Sequence, residues 1–498
     1  LSSKKFIIPT GASPFVPPVL AQQARVAKIP LFTYRTVLQL YELLDQTTNT
    51  STSTTTTTTS TTPRHVVIVG GGATALELAQ SIARLGGRRR SSNSNSNKDG
   101  KNSKDHTTNT MNPTQIPNTA ATVTISLIAP ELLKSDHNCD RSLQEAAKLI
   151  LESESNIRLY RHRYLTQILP NKSIELDEVS LVRDSSKTRT HRVSAATSAM
   201  NTTVLLPGPA PDAILFCVGR YPNIETLDLE KANIAYDPRI DGGGGGGGIL
   251  VKNKNLQSKT NKRVYACGDC CSVVSSGVSK KYRNAIHAGY TGYQAAINTI
   301  VPYFPFRLGS KAYNPNIVVP RVIYTDPELV AVGMSQQDCD DKYGRRHYNS
   351  IYVSENGTDR ADMDCHERRT GIGYVELRCT KIYGTILGFS SCGPSGSELA
   401  NEMSVILSNK LSVHDIATKS LHSYPSHGYL LYRACLALSF GTVWGQLIAL
   451  GPIGKHLARV GQCIATIISP IKTFVRLLLK KNEHIINSIK RKSRSIRH

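Results

Sequence analysis

Residues 65–79, which read HVVIVGGGATALELA, decide the fold class of this chain. A short, apolar and β-branched run leads into three glycines, and apolar residues follow at helical spacing. Gly70, Gly72 and Ala75 fit the pattern G-x-G-x-x-G/A, in which small residues permit a tight turn and a close approach of backbone N–H groups to a pyrophosphate. The N-terminus of the following helix favours such an anion. The stretch therefore predicts a dinucleotide-binding strand, loop and helix.

The alternation of strand and helix continues beyond this stretch. ATVTISLIAP (121–130) and DAILFCVG (212–219) read as strands, and SLQEAAKLILESE (142–154) reads as a helix between them. This order predicts a parallel α/β sheet. From about residue 320 the pattern changes to longer strands followed by the helix GSELANEMSVILSNKL (396–411). We expect that part to be a separate α+β domain.

Low-complexity segments interrupt these domains. Three of them are too polar or too rich in glycine to bury a core, and we interpret them as loops inserted into a folded frame: 47–62, 88–119 and 241–248. With the second insert removed, Glu131 falls about 20 residues after the glycines, where an acid can bind a ribose 2′-hydroxyl. No arginine in this stretch is placed to hold a 2′-phosphate, so the choice between NADH and NADPH stays open.

Composition and charge exclude some classes of protein. The chain has 498 residues, 40% of them hydrophobic, and this is enough for about two to four domains. The net charge is +23, but residues 455–498 hold eleven lysines and arginines and a single acid, Glu483, so much of the excess is a terminal tail. No nucleic-acid-binding motif is present. The scattered cysteines favour a reducing, intracellular compartment, and the organelle stays unknown.

Five motifs together carry a resemblance to a known family. They are IIPTGASPFVPP (7–18), VVIVGGGATALELA (66–79), AILFCVGRYPN (213–223), VYACGDCCS (264–272) and VPRVIYTDPELVAVGMS (319–335). In this order they resemble the class I pyridine nucleotide-disulfide oxidoreductases, the flavoprotein family of glutathione reductase, dihydrolipoamide dehydrogenase and mercuric reductase. The mercuric-reductase-like branch is the most similar.

The resemblance implies two dinucleotide-binding (Rossmann-like) domains, of which the FAD domain is incomplete, plus an α+β dimerisation domain and a basic C-terminal tail. The implied order is the end of the first FAD segment (1–24), an NAD(P)H domain (25–218), a second FAD segment (219–305), the dimerisation domain (312–432) and a hydrophobic and basic tail (433–498). The family's first G-x-G-x-x-G and its C-x4-C disulfide are missing, and we interpret this as truncation at the N-terminus.

The resemblance also implies which residues bind the cofactors. For NAD(P)H these are the residues of the second fingerprint, namely Gly70, Gly71, Gly72, Ala75 and Glu77. For FAD they are Thr10, Gly11, Gly219, Arg220, Gly268 and Asp269.

The family's catalytic histidine and glutamate are replaced in this chain. The matching stretch is SYPSHGYLL (423–431), in which Tyr424 stands at the histidine position and Tyr429 at the glutamate position. We expect surface or packing roles for His422 and His427. Tyr424 is therefore the one catalytic candidate, and the other catalytic residues are unknown.

The stretch RVYACGDCCSV (263–273) contains Cys267 and Cys270 at C-x-x-C spacing. A redox dithiol needs an exposed thiol with a lowered pKa, and a zinc site needs a second pair of ligands, which the sequence does not offer. We favour packing roles for both cysteines and predict no metal site.

The resemblance implies an FAD-dependent enzyme that transfers hydride from NAD(P)H to the flavin and on to a disulfide, a metal or another small-molecule or thiol acceptor. Two alternatives stay open: an NAD(P)H:acceptor reductase of the quinone type without a disulfide, and a degenerate, non-catalytic homologue. In each case we expect a homodimer. The tail has 21 uncharged residues (434–454) followed by spaced cations, so it could span a membrane, lie on its surface or pack on the dimer.

Overall fold

A computed structural model of the chain describes residues 3–45, 64–88, 123–133, 139–178, 203–238, 247–252, 255–273, 284–300, 317–356, 358–360, 372–443 and 445–446. The predicted inserts at 47–62 and 88–119, most of 241–248, and the tail beyond 446 lie outside these residues. Within the described part, no helix is both long enough and apolar enough to cross a membrane.

The described elements alternate between short strands and helices. The strands are β1 (Phe6–Ile8), β2 (Ala12–Pro14), β3 (Leu31–Phe32), β4 (Arg64–Val69), β5 (Val123–Ala129), β6 (Ile157–Arg161), β7 (Arg163–Ile168), β8 (Ile174–Glu178), β9 (Val204–Leu205), β10 (Ala213–Phe216), β11 (Arg220–Pro222), β12 (Tyr236–Asp237), β13 (Gly248–Val251), β14 (Val264–Ala266), β15 (Cys271–Val273), β16 (Arg321–Ile323), β17 (Glu328–Gly333), β18 (Tyr348–Ser354), β19 (Tyr374–Thr380) and β20 (Ile386–Gly393). The helices are α1 (Pro18–Val26), α2 (Val37–Asp45), α3 (Ala73–Arg88), α4 (Arg141–Ser153), α5 (Ala285–Ile300), α6 (Gln336–Tyr343), α7 (Gly396–Ser408), α8 (Val413–Lys419) and α9 (Gly428–Phe440).

A five-stranded parallel sheet, ordered β3-β10-β4-β5-β6, forms the centre of the first domain. Alternate residues of β4 face opposite cores: Val66 and Ile68 pack on the side of α3 and α4, and Val67 and Val69 pack on the side of α1, β7 and β8. Because both faces are covered, the strand is a continuous apolar run instead of an alternating one. The predicted parallel α/β sheet is confirmed.

The region beside this sheet is formed by strands from the start of the chain that pair with strands more than 200 residues later. Strand β1 pairs in parallel with β14, and β2 pairs antiparallel with β11. The three-stranded sheet β12-β13-β15 and helix α5 complete it. Residues near position 10 therefore lie beside residues near positions 220 and 268.

The C-terminal domain is built on the antiparallel sheet β16-β17-β20-β19-β18. Helices α7, α8 and α9 pack on it around a core that includes Val332, Leu377, Phe389 and Met403. The predicted α+β domain is confirmed.

A buried polar network joins the C-terminal domain to α4 of the first domain. Arg378 is fully buried on β19, and its Nη2 lies 2.5 Å from Asp140 Oδ2 and its Nη1 lies 2.9 Å from Glu376 Oε1. Ser142 Oγ donates to Glu376 Oε2 at 2.6 Å, and Arg378 Nε donates to the carbonyl of Met334 at 3.2 Å. The network fixes the orientation of the first domain against the C-terminal sheet.

Candidate functional site

The glycine loop between β4 and α3 has no room for side chains at two positions. Gly70 has a φ of 132°, and a Cβ built on it would lie 2.3 Å from the carbonyl oxygen of Cys217. A Cβ on Gly71 would lie 2.3 Å from the carbonyl oxygen of Glu131. The loop is thus held tightly between the ends of β10 and β5. These contacts explain why glycine stands at both positions.

The loop leaves hydrogen-bond donors available for a ligand. The carbonyl of Gly72 accepts from the N–H groups of Ala75, at 3.0 Å, and Leu76, at 3.2 Å, and this starts helix α3. No described residue accepts a hydrogen bond from the N–H of Gly71 or Gly72. Two backbone donors at the start of a 16-residue helix form an anion-binding position. The loop fits the pyrophosphate of a dinucleotide.

The two acidic residues predicted beside this loop differ in placement. Glu131 is the second residue after β5, and the N–H of the nearby Leu133 donates to the carbonyl of Gly71 at 2.7 Å. Glu77, on α3, accepts a hydrogen bond at its Oε1 from the N–H of Tyr324 in the C-terminal domain, at 3.0 Å. Glu131 therefore lies at the loop, and Glu77 links α3 to the C-terminal domain. The cofactor-binding roles of both residues stay predictions.

The second group of predicted residues meets at an ion pair. Arg220 Nη1 lies 2.9 Å from Asp269 Oδ2, and the Asp269 side chain is only 12% exposed. Gly268, with a φ of 71°, begins the turn that carries Asp269, and its N–H donates to Thr291 Oγ1 at 2.9 Å. The arginine from β11 thus orients the carboxylate that follows β14.

Thr10, Gly11 and Gly219 lie next to this pair. Asn223 joins the first two to β11, because its N–H donates to the carbonyl of Gly11 at 2.9 Å and its Nδ2 donates to the carbonyl of Thr10 at 2.9 Å. Gly219 has a φ of 120°, and its carbonyl accepts from the N–H of Phe15 at 2.9 Å. Within the described residues, no atom lies within 4 Å of a Cβ built on Gly11. A carboxylate acceptor and open space beside a glycine fit the hydroxyl and phosphate groups of a flavin nucleotide.

Tyr424 lies apart from both groups, on the turn before α9. Its hydroxyl donates to Asp359 Oδ2 at 2.5 Å, and its ring is exposed. The hydrogen bond to Asp359 raises the pKa of the Tyr424 phenol. The ring of Tyr429 meets it edge-on, with centroids 5.0 Å apart. A phenol held by a carboxylate is an exposed hydrogen-bonding group, and its catalytic role stays a prediction.

The two neighbouring histidines are paired with carboxylates. His427 Nδ1 lies 2.9 Å from Glu355 Oε1, with both side chains 11% exposed, and His422 Nε2 lies 2.8 Å from Glu402 Oε1. The expected packing role thus includes contacts with carboxylates within the C-terminal domain.

The C-x-x-C pair belongs to the core. Cys267 is 4% exposed, Cys270 is fully buried, and the Cys270 thiol donates to the carbonyl of Ile8 at 3.3 Å. Burial raises the pKa of the Cys267 thiol to about 11. A thiol that is buried and protonated at neutral pH is a poor nucleophile. This agrees with packing roles for both cysteines.

The sequence analysis did not identify several residues that contact the predicted site residues. Thr291 positions Gly268, Asn223 joins positions 10 and 11 to β11, and Asp359 binds Tyr424. Asn223 is the last residue of the motif AILFCVGRYPN (213–223) and could have been recognised there. The other two are separated by 23 and 65 residues from the groups that they contact, and no local pattern marks them.

The chain is similar in sequence to two dihydrolipoyl dehydrogenases. Bacillus subtilis dihydrolipoyl dehydrogenase is 25% identical over 227 residues, which are 45% of this chain and 42% of that protein. The human mitochondrial dihydrolipoyl dehydrogenase is 26% identical over 230 residues, 46% of this chain and 39% of the relative. The matches thus span less than half the length of these relatives.

Two solved structures share the fold. LpdA from Mycobacterium tuberculosis has a TM-score of 0.54 and 19% identity, covering 87% of this chain and 69% of that one. A Cu(II) complex of the HOCl-induced flavoprotein disulfide reductase RclA from Escherichia coli has a TM-score of 0.56 and 16% identity, covering 87% and 73%. The family description "Pyridine nucleotide-disulphide oxidoreductase" matches residues 1–292, and its dimerisation domain matches residues 319–431. The chain therefore belongs to the pyridine nucleotide-disulphide oxidoreductase family.

Proposed function

We propose that this protein is an FAD- and NAD(P)H-dependent oxidoreductase that passes hydride from the nicotinamide to the flavin and on to an acceptor. The observation that carries the proposal is the geometry of the β4–α3 loop. A Cβ at Gly70 or Gly71 would collide with a backbone carbonyl oxygen, and the N–H groups of Gly71 and Gly72 have no acceptor among the described residues. The proposal is also supported by the family, whose description names pyridine nucleotides.

Each group of residues has a distinct task in this proposal. Gly71, Gly72 and the start of α3 bind the pyrophosphate of NAD(P)H and so orient its nicotinamide. Asp269, held by Arg220, accepts hydrogen bonds from hydroxyl groups of the flavin nucleotide. Bound FAD supplies the two-electron chemistry that side chains lack.

Tyr424 restricts the kind of acceptor. Tyr424 stands where the family histidine is expected, so a phenol bound to Asp359 replaces an imidazole. An exposed phenol can donate a hydrogen bond to an acceptor, but it is a weaker proton-transfer group than imidazole at neutral pH. We therefore propose, as alternatives to the disulfide that other family members reduce, a metal ion, whose reduction consumes no proton, or a quinone that takes its remaining proton from water.

Analytical ultracentrifugation of the full-length protein tests flavin binding and dimer formation together, if sedimentation is followed both at a wavelength where protein absorbs and at a visible wavelength where flavin absorbs. We expect one boundary with the mass of a homodimer that absorbs as oxidised flavin, and bleaching of this absorption by NAD(P)H without added thiol. The Asp269→Asn variant is expected to lose flavin, whereas Asp237→Asn, an exchange of the same type on β12, keeps it. A colourless protein would support the non-catalytic alternative, and a monomer would contradict the homodimer.

We also propose that the basic tail binds anionic membrane surfaces. Its eleven lysines and arginines between 455 and 498 are the support, since each cation near such a surface contributes about 1 kcal/mol. Removal of residues 455–498 is expected to abolish co-sedimentation with phosphatidylserine vesicles while dimer and flavin content stay unchanged. Equal sedimentation of the intact and shortened proteins would exclude this role.

A further inference from the structure

The segment that follows α9 is bound to the rest of the C-terminal domain at a defined place. Thr442 is fully buried, and its Oγ1 lies 2.8 Å from Nε2 of the buried His414 on α8. The N–H of Val443 donates to the carbonyl of Lys381 at 3.2 Å, in the turn after β19. The chain therefore continues toward its basic tail from a fixed point on this domain.

This point lies at the end of the sheet opposite to Tyr424. Lys381 precedes β20, and the far end of β20 carries Gly393, where a built Cβ would lie 3.6 Å from Glu355 Oε2. Glu355 contacts His427, which is three residues after Tyr424. Strand β20 has eight residues, and a strand of this length spans about 25 Å. The exit of the tail and the candidate residue Tyr424 are therefore separated by the length of the sheet.

Exposed apolar and cationic side chains surround this exit. The N–H of Lys381 donates to the carbonyl of His347 at 3.0 Å, so the turn after β19 lies beside the segment that precedes β18. Three apolar side chains here are largely exposed: Ile382 by 54%, Phe440 by 66% and Val443 by 46%. Together with the neighbouring exposed cations they form what we call the exit surface, namely Arg345, Arg346, Lys381, Ile382, Phe440 and Val443.

The cations of the exit surface are only partly neutralised by the protein. Arg346 and Lys381 form no ion pair and no side-chain hydrogen bond with any residue that the structure describes. Arg345 Nη1 reaches the hydroxyl of Tyr348 at 3.5 Å, and this hydroxyl donates to Asp340 Oδ1 at 2.6 Å. Asp340 therefore balances Arg345 in part, whereas Arg346 and Lys381 keep their full charges. The surface combines exposed apolar groups with free positive charge.

We infer that the exit surface lies against an anionic phospholipid membrane, with its apolar side chains among the headgroups and Arg346 and Lys381 beside the lipid phosphates. The inference rests on the proposed binding of the tail to membranes, and it adds a contact surface on the folded domain. Phospholipids match both components of the surface, because they offer anionic headgroups and an apolar layer below them. The phosphate backbone of a nucleic acid would match only the cations. A second contact beside the tail fixes the orientation of the domain, so that Tyr424 points away from the membrane.

Co-sedimentation of the full-length protein with phosphatidylserine vesicles tests the cationic part of the exit surface. We expect the double substitution Arg346→Gln and Lys381→Gln to weaken binding about 10- to 30-fold, because each cation near such a surface contributes about fivefold. The matched control is Arg25→Gln with Lys28→Gln, which removes two exposed cations of the first domain and changes the net charge equally. The control is expected to change binding less than about twofold.

Ile382→Ser tests the apolar part of the exit surface. We expect it to weaken binding about 3- to 10-fold, because a half-exposed aliphatic side chain loses its burial among the headgroups. Leu38→Ser is its control, since Leu38 is 71% exposed on α2 of the first domain, and it is expected to have less than about a twofold effect. High salt should remove the effect of the double substitution by screening and leave that of Ile382→Ser in place.

Other results would overturn the inference in distinguishable ways. If the intact protein binds the vesicles and the substitutions in the exit surface act no more strongly than their controls, the tail alone makes the contact and only this inference fails. If the intact protein does not bind the vesicles, the proposed role of the tail and this inference fail together. Tighter binding to single-stranded RNA than to vesicles at equal phosphate concentration would identify a nucleic acid as the partner and exclude the membrane.

Discussion

The Gly70→Ala variant is expected to lose dinucleotide binding by at least about 100-fold, which is about 2.7 kcal/mol. Gly70 has a φ of 132°, a conformation that costs other residues about 1–3 kcal/mol. The new Cβ would also lie 2.3 Å from the carbonyl oxygen of Cys217, which belongs to the backbone and has little room to move. The loop must therefore shift and withdraw its N–H groups from the pyrophosphate.

Titration with NAD(P)⁺, together with circular dichroism to verify the fold, measures this effect. Gly289→Ala is the control, since Gly289 lies on α5 with no described atom within 4 Å of a built Cβ, and alanine there is expected to stabilise the helix by up to about 1 kcal/mol. If Gly70→Ala fails to fold, Gly71→Ala tests the same loop through its contact with Glu131. A folded Gly70→Ala protein with the affinity of the wild type would refute the assignment of this loop.

The Arg378→Met variant is expected to lose about 3–5 kcal/mol of stability, because it leaves Asp140 and Glu376 buried without their cationic partner. The network is the polar link between α4 and the C-terminal sheet. Besides a lower melting temperature, we expect one thermal transition to separate into two, one for each domain. Differential scanning calorimetry measures both effects.

Arg84→Met is the matched control for the buried arginine. Arg84 also connects the two domains, through Asp326 at 2.8 Å, and it contacts Glu154 of its own domain at 2.6 Å. Its side chain is 36% exposed, so its removal is expected to cost less than about 1 kcal/mol. Adding Asp140→Asn to Arg378→Met removes one unpaired charge and keeps the acceptor for the N–H of Gln336, so it should restore part of the stability. If Arg84→Met and Arg378→Met lowered the free energy of unfolding equally, burial of Arg378 would not explain the size of its effect.

The fold was predictable from the sequence because its signals are local. The glycine loop, the continuous apolar run of β4 and the change of pattern near position 320 each lie within a few residues, so the parallel sheet and the α+β domain could be predicted. The contacts between distant segments were not predictable. No sequence pattern near Glu77 indicates that its carboxylate accepts a hydrogen bond from the N–H of Tyr324. Likewise, no pattern near Arg378 indicates its ion pair with Asp140, which is 238 positions away.

The direction of the parallel strands has a consequence for how the protein can evolve. Two of the low-complexity inserts, 47–62 and 88–119, precede the first residues of β4 and β5, so the chain enters these strands at the edge of the sheet opposite to the glycine loop. Changes in their length are therefore separated from the ligand edge by the full length of a strand. Such segments can grow or shrink by genetic drift while selection on ligand binding acts at the other end of the same strands.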